Sequence, residues 1–400
     1  MIWLVLGSIV PGLLISLAVG YLIRRYASRW GLLDRPSQRK DHNLAVATSG
    51  GLAIWAGMMA AFLGLQIAVS SIDRMQRSFG MSPDSVEAIP PDLYPPLQGT
   101  AWGQFVQPHI QGLLRQLPHL WLLLAAATVM MILGLADDRF GLDWRLRMGI
   151  QTVVAGFMVW QGWRLSLFIE VPVVTGALSV LWIVGLVNTF NMLDNMDGLS
   201  AGVAAIAATL LAAVILSAPD PITKGPQLFV GGFLLVLVGA LLGFLWHNCP
   251  PARLFMGDAG SYLIGFCLGT ITISATFAGE GLPPHAILAP LCVLAVPLYD
   301  TVTVVWIRWR EGRSPFHADR NHISHRLVDL GLSKRQAVLT IYAATAVCGM
   351  GAFFLHRTST RGAVLILLLV AAVLFAIATV ELTARKRRTS AVAGSDSTRR

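Results

Sequence analysis

Apolar stretches of about twenty residues recur along the whole chain, with short polar segments between them. A helix of that length crosses about 30 Å of hydrocarbon, so each stretch predicts one membrane-spanning helix. The pattern predicts an all-α polytopic integral membrane protein with about 10 or 11 transmembrane helices. The predicted spans lie at about 2–23, 48–70, 119–136, 149–169, 176–190, 199–217, 227–246, 259–277, 285–306, 336–356 and 362–383.

The composition agrees with a membrane protein. The chain is 55% hydrophobic and 13% charged, whereas about a quarter of the residues in soluble domains are charged. The first apolar stretch has no basic n-region and no small-residue cleavage site, so we expect a retained span rather than a signal peptide. The four cysteines form no CxxC pair, and three lie inside apolar stretches, which predicts buried structural thiols.

The basic residues are distributed unevenly between the two sets of connecting segments. A net charge of +9 occurs in nucleic-acid-binding proteins, but one alternating set carries 23 of the 30 Lys and Arg residues. Because cytoplasmic segments are enriched in Lys and Arg, topology explains this charge and no nucleic-acid partner is expected. Assigning the Lys- and Arg-rich segments to the cytoplasm predicts that the N-terminus lies outside and the C-terminus lies in the cytoplasm.

The same analysis divides the chain into a membrane domain and a tail. Residues 1–385 form the predicted membrane domain, with a proline-rich external insertion at about 71–118. The many prolines of this insertion interrupt any long helix. Residues 386–400 are basic and then rich in Ser, Thr and Gly, so we predict a disordered cytoplasmic tail at the membrane surface.

Five polar clusters fall in the segments predicted to be cytoplasmic. A site that spans several of them would lie on the cytoplasmic face of the membrane. Their candidate functional residues, in chain order, are Arg39, Lys40 and His42; Asp137 and Asp138; Asn191, Asp194 and Asp197; Asn248 and Asp258; and Arg320, His322 and His325.

The carboxylates in these clusters have informative spacings. Asp194 and Asp197 are three residues apart and would share one face of a helical turn. Two carboxylates that close repel, which favours a divalent cation or a proton between them. Adjacent Asp137 and Asp138 must point in different directions, so we expect different roles for them. Asp258 begins an apolar helix, where free N–H groups suit a phosphate, although Asp258 could instead be an N-cap.

The donor set indicates a hard metal ion. Asp and Asn oxygens without cysteine suit Mg²⁺, or Mn²⁺, better than zinc. Mg²⁺ held by carboxylates and substrate phosphates is the usual arrangement in phosphoryl transfer. The segment with Arg320, His322 and His325 would supply hydrogen-bond donors to a diphosphate, and structural zinc is disfavoured there because no cysteine is nearby.

Four motifs in this order resemble one known family. They are Asp137-Asp138 after a span, 191–198 with the sequence NMLDNMDG, 255–261 with FMGDAGS, and SPF followed by DRNHISHRL within 314–327. The chain resembles the polyprenyl-phosphate N-acetylhexosamine-1-phosphate transferases of glycosyltransferase family 4, membrane enzymes that begin bacterial glycan assembly. Within the family it is most similar to the UDP-GlcNAc:undecaprenyl-phosphate GlcNAc-1-phosphate transferases.

The resemblance implies a reaction and assigns residues to it. N-acetylhexosamine-1-phosphate, most simply GlcNAc-1-phosphate, would move from a UDP-sugar to polyprenyl phosphate in the bacterial inner membrane, releasing UMP and starting a cell-envelope glycan. Asp258, with Asp194 or Asp197, would hold Mg²⁺. Asp137 or Asp138 would orient the lipid phosphate or take its proton.

The remaining candidate residues would bind the two substrates. By the same resemblance, His322, His325 and Arg320 would bind the diphosphate, with Asn191 and Asn248 also assigned to substrate. Arg39, Lys40 and His42 would bind the polyprenyl phosphate.

The sequence also departs from the family pattern. Ser324 stands where the branch usually has histidine, and the first cytoplasmic segment lacks the proline common before its paired glycines. An ion-coupled transporter is the main alternative, because carboxylates near a membrane also mark ion pathways. A lipid-binding scaffold without activity is a third, and the oligomeric state, a homodimer included, stays open.

Overall fold

The computed structural model describes residues 1–34, 46–78, 109–165, 171–218, 225–275, 277, 283–314 and 321–397. Its helices are α1 (Ile2–Trp30), α2 (Gly51–Ser78), α3 (Ile110–Phe140), α4 (Trp144–Trp160), α5 (Pro172–Leu193), α6 (Leu199–Ser217), α7 (Leu228–Asn248), α8 (Gly257–Ser274), α9 (Ala289–Val293), α10 (Ala295–Arg310), α11 (Ile323–Asp329), α12 (Lys334–Leu355) and α13 (Thr360–Ser397). Two short strands, β1 (Leu33–Asp34) and β2 (Val46–Ala47), pair antiparallel, and the 3₁₀ helix Pro284–Leu288 precedes α9.

Every predicted span coincides with a helix or a pair of helices. In the described part of the chain, eight helices are long and apolar enough to cross a membrane. A ninth crossing is counted if the pair Pro284–Val293 and Ala295–Arg310, bent by 68°, forms one span. The other two predicted spans coincide with α4 and α8, which are not among these helices, so the described residues give eight or nine crossings by length and composition rather than 10 or 11. The polytopic all-α prediction is confirmed, with β1 and β2 as a small addition.

The core lies around α8. Every residue from Ala259 to Ile273 on this helix is buried, as expected for a helix that is apolar on all sides and enclosed by others. Helices α3 and α5 pack closely on it: a Cβ on Gly134 of α3 would lie 2.2 Å from the carbonyl oxygen of Asp258, and one on Gly265 would lie 2.5 Å from that of Leu186. These glycines let α3 and α5 bring their C-terminal ends to the start of α8.

One cysteine differs from prediction, and part of the predicted insertion lies outside the described residues. Helix α13 continues through residue 386 to Ser397, and the predicted disorder of the tail stays a prediction. Cys249 is exposed, whereas the other three cysteines are buried as predicted. Of the predicted external insertion, residues 79–108 lie outside the described residues, while α2 and α3 extend into its two ends.

The segment before α2 is attached to the segment before α8. The Phe255 N–H donates to the carbonyl of Ala47 at 2.8 Å, and the Gly50 N–H donates to that of Phe255 at 2.9 Å. A Cβ on Gly51 would lie 2.2 Å from the backbone nitrogen of Gly260, so glycine permits this contact. The paired glycines noted in the sequence thus fix the start of α2 beside the start of α8.

Candidate active site

Asp137 is buried at the C-terminal end of α3 and has three hydrogen-bond donors. Its Oδ2 accepts from Arg147 Nη1 at 2.6 Å and from the Tyr262 hydroxyl at 2.7 Å, and its Oδ1 accepts from the Leu142 N–H at 2.9 Å. The carboxylate therefore joins α3, α4 and α8. This geometry lets Asp137 position the three helices, and the catalytic role predicted for it stays a prediction.

Asp138 points elsewhere, as its adjacency to Asp137 predicts. Its Oδ1 accepts from the Asp258 N–H at 2.8 Å and its Oδ2 from the Ala259 N–H at 3.3 Å. A carboxylate bound to these donors also interacts favourably with the positive end of the helix dipole. Asp138 therefore occupies the place at the start of α8 where we expected a phosphate, and Asp258 is not the N-cap. The Asp138 side chain is nonetheless exposed to solvent.

Gly257 is required where Asp138 meets α8. Its φ of +70° favours glycine, and a Cβ there would lie 2.4 Å from Asp138 Oδ2. We expect Gly257→Ala to lower the melting temperature and the activity together, because it adds backbone strain and displaces the Asp138 carboxylate.

A matched control separates these two effects of Gly257→Ala. Gly312 has a similar φ of +68°, and a Cβ there would meet no atom within 4 Å. Gly312→Ala carries the backbone strain alone, so thermal unfolding should show a clearly smaller loss for it. Equal losses would contradict a specific need for Gly257 beside Asp138.

Asp258 is held by a side chain of α5. Its Oδ1 accepts from Asn191 Nδ2 at 2.6 Å, and the same amide nitrogen lies 3.2 Å from the Ser261 hydroxyl. Its Oδ2 lies 4.0 Å from Arg147 Nη1, and the side chain is 31% exposed. Asn191 thus fixes one carboxylate oxygen, and the Asp258 carboxyl group also interacts with the side chain of Asp137.

Asp194 follows the last residue of α5, and the pKa of its carboxyl group is strongly raised. Its burial, together with the negative charges of Asp138 and Asp197, raises its pKa to about 8. Among the described residues, no donor reaches the Asp194 carboxylate in a hydrogen bond. The predicted repulsion is therefore present, and a bound cation would relieve it.

The turn after α5 differs from the helical turn expected there. Helix α5 ends at Leu193, and Gly198 has a φ of +77°, so Asp194 and Asp197 do not share a helical face. Asp197 Oδ2 accepts from the Ala252 N–H at 2.9 Å. Asn248 Oδ1 accepts from the Gly198 N–H, and Asn248 Nδ2 donates to the Leu254 carbonyl, both at 2.9 Å. Both the oxygen and the nitrogen of the Asn248 amide form hydrogen bonds within the protein, so Asn248 positions this turn, and its predicted contact with substrate stays a prediction.

The histidine segment is organised by Asp300, a residue of α10 that the motifs did not reveal. Asp300 is 1% exposed. Its Oδ2 accepts from His322 Nδ1 at 2.8 Å, and its Oδ1 accepts from the Ile323 N–H at 2.7 Å and from Arg326 Nη2 at 3.4 Å. With Nδ1 donating, Nε2 is the nitrogen left to face a ligand. An acid inside an apolar span is a functional-site signal in itself and could have indicated Asp300.

The histidine segment also contacts the turn after α5. Ser324, at the position that departs from the family pattern, donates from its hydroxyl to Asn195 Oδ1 at 2.6 Å and is buried. Ser324 therefore ties α11 to the segment that carries Asp194 and Asp197. His325 is half-buried beside it. Arg320 of this cluster lies outside the described residues.

These contacts connect four of the five predicted clusters. Asp138 binds the start of α8, Asn191 binds Asp258, and Asn195 joins the His322 segment. Arg39, Lys40 and His42 lie outside the described residues, but the ends of their segment pair as β1 and β2. Within the described ranges, no group of three or more His, Cys, Asp or Glu side chains is arranged to hold a metal ion. The described members of these four clusters therefore lie together at adjoining helix ends, as predicted.

Known proteins resemble this chain over most of its length. Residues 120–276 match the sequence model of glycosyl transferase family 4. A Bacillus subtilis protein named "Probable undecaprenyl-phosphate N-acetylglucosaminyl 1-phosphate transferase" is 30% identical, over 90% of this chain and 87% of its own. The decaprenyl-phosphate N-acetylglucosaminephosphotransferase of Mycolicibacterium smegmatis is 30% identical over 87% and 81%.

An Escherichia coli relative shows the same correspondence at lower identity. The undecaprenyl-phosphate alpha-N-acetylglucosaminyl 1-phosphate transferase of strain K12 is 28% identical, over 82% of this chain and 77% of its own. The match to the family model includes Asp137, Asp138, Asp194, Asp197 and Asp258. The chain belongs to glycosyl transferase family 4.

Proposed function

We propose that this protein transfers N-acetylhexosamine-1-phosphate, most simply GlcNAc-1-phosphate, from a UDP-sugar to a polyprenyl phosphate and releases UMP. The observation that carries the proposal is the convergence of Asp138, Asp194 and Asp258 with the His322 segment at one end of the helices. The names of the relatives support the same donor group and acceptor class. The product would begin a lipid-linked cell-envelope glycan.

The site suits a divalent cation, Mg²⁺ or Mn²⁺, bound by Asp258 and Asp194. The Asp258 side chain is partly exposed, and burial together with the negative charges of Asp138 and Asp197 raises the pKa of Asp194. Mg²⁺ usually binds one or two carboxylates plus substrate phosphates, so a preformed cluster of three protein ligands is not required. When bound, the cation would neutralise charge on the diphosphate.

The chain's own residues would position two anionic reactants. An oxygen of the lipid phosphate forms a bond to the sugar-bound phosphorus as the bond from that phosphorus to the UMP oxygen breaks. Asp138 is the exposed acid that would orient the lipid phosphate or accept its proton. His322, with its ring oriented by Asp300, would donate to the diphosphate together with His325 and Arg320. Such a site acts by positioning and charge stabilisation.

The proposed setting is the bacterial inner membrane, with the N-terminus outside and the site in the cytoplasm. The distribution of Lys and Arg supports this orientation. Nothing in the geometry favours the transporter, because the carboxylates gather at helix ends and transporter sites lie near the bilayer midplane. A monomer and a homodimer are distinguishable by light scattering on the detergent-solubilised protein.

Transfer and metal dependence are tested together on the purified full-length protein. We expect UDP-[³²P]GlcNAc with undecaprenyl phosphate to yield a labelled lipid, EDTA to abolish labelling, and MgCl₂ to restore it. A panel of UDP-sugars then identifies the preferred N-acetylhexosamine. Unchanged turnover in EDTA would refute the cation site alone, whereas no labelled lipid with any UDP-sugar would refute the transferase.

A further inference from the structure

A second polar site lies at the C-terminal end of α1, apart from the reacting groups. A cavity of about 560 Å³ opens there, and its lining includes Tyr21, Arg24, Arg25, Ala47 and Arg253. This volume is within the range of small-molecule sites. We propose that Arg24, Arg25 and Arg253 bind the phosphate group of a membrane lipid in this cavity.

The positive charge in the cavity is not neutralised by the described part of the chain. Within it, none of Arg24, Arg25 and Arg253 forms an ion pair with a carboxylate. Arg24 is held instead by a neutral ring: its Nη1 donates to His247 Nδ1 at 3.1 Å, while His247 Nε2 donates to the carbonyl of Leu17 at 2.9 Å. An anion in the cavity would therefore meet three guanidinium groups that no carboxylate of the described side chains pairs with, and guanidinium groups bind phosphate well.

The neighbouring helix surface suits a lipid rather than a free anion. One face of α1 carries the exposed residues Leu14, Ala18 and Tyr21, at intervals of four and three residues. Exposed Arg25 continues the same face four residues after Tyr21. An acyl or prenyl chain can lie along this apolar stripe while its phosphate reaches the arginines. Exposed Tyr21 is at the position where aromatic side chains mark the membrane interface.

The segment that contains Ala252 and Arg253 lies between the cavity and the candidate active site. Ala252 and Arg253 line the cavity, and the Ala252 N–H donates to Asp197 on the other side of the same segment. A lipid phosphate bound here would hold this segment in place without contacting Asp194 or Asp258. The inference does not depend on the proposed reaction, since binding can be measured without turnover.

The test is lipid binding by native mass spectrometry of the full-length protein in detergent. The decisive variant is Arg25→Gln/Arg253→Gln, which leaves the contact between Arg24 and His247 in place. We expect its affinity for dioleoyl-phosphatidylglycerol to fall by about 30-fold, the loss expected for two basic residues facing an anionic headgroup. Dioleoyl-phosphatidylcholine, which has no net charge, should bind weakly to both proteins.

The matched control is Arg139→Gln/Arg145→Gln, which removes the same amount of charge. Both arginines are exposed, and their helix ends are predicted to lie on the same side of the membrane as the cavity. The control should bind phosphatidylglycerol like the unmodified protein. Equal losses in the two variants, or no loss in either, would overturn the proposal.

Two further probes identify the source of the phosphate. Binding of undecaprenyl phosphate that is also lost in Arg25→Gln/Arg253→Gln would support the site and extend it to the acceptor lipid. Complete displacement of phosphatidylglycerol by millimolar sodium phosphate would overturn the lipid assignment in favour of free phosphate.

Discussion

Asp258→Asn is expected to lower kcat by about 10³-fold, the scale for losing a charged group that stabilises the transition state. The amide keeps the size of the side chain and can still accept from Asn191. The variant removes an ionisable carboxyl group from the cluster that contains Asp138 and Asp194, where burial and neighbouring negative charge raise the pKa of Asp194. Metal-free Asp258→Asn should therefore unfold at the same temperature as the unmodified protein or at a higher one.

Thermal unfolding with and without MgCl₂ separates a binding role from a structural one. A ligand that binds only the folded state raises the melting temperature, so Mg²⁺ should stabilise the unmodified protein and fail to stabilise Asp258→Asn. The control is Asp143→Asn, an exposed acid at the N-terminus of α4, which should retain both activity and the Mg²⁺ response. Near-normal Mg²⁺-dependent turnover in Asp258→Asn would exclude Asp258 as a metal ligand.

Asp300→Asn is expected to lower kcat by about 10² to 10⁴-fold although Asp300 contacts no proposed substrate group. Its carboxylate accepts from His322 Nδ1 at 2.8 Å, and an orienting carboxylate behind a functional histidine has effects of up to about 10⁴-fold. The variant also removes the carboxylate charge 3.4 Å from Nη2 of buried Arg326, which costs stability.

A second substitution distinguishes orientation of His322 from loss of stability. Asp300→Asn/Arg326→Gln restores the charge balance, so we expect the melting temperature to recover while kcat stays low. Asp329→Asn, an exposed acid on the same α11, is the control and should be active. Recovery of kcat together with stability in the double variant would show that Asp300 is structural only.

The helices could be predicted because their signal is local. An apolar run near twenty residues long predicts a span wherever it occurs, and α6 and α7 lie within a few residues of their predicted positions. The convergence of polar clusters was also predictable, since alternating crossings bring every second connection to the same face. The state of the tail could not be predicted in this way, because its composition allows both disorder and a continuation of α13.

The roles of individual acids could not be predicted in the same way. Asp137 and Asp138 are adjacent, yet one is saturated by Arg147 and Tyr262 while the other binds the start of α8. Asn248 was predicted to bind substrate, and its contacts with Gly198 and Leu254 were not predicted. These partners lie on other helices, so spacing along the chain carries no information about them.

From the amino-acid sequence alone follow the all-α membrane architecture, the alternation that gathers the polar clusters, and the motifs that indicate the family. Each depends on residue type and spacing within one segment. Only the tertiary structure decided that Asp138 fills the N-terminus of α8, that Asp194 is left among negative charges, and that Asp300 orients His322. The physical reason is that hydrogen bonds and charge interactions depend on distances between helices, which close contacts such as that of Gly134 with α8 determine.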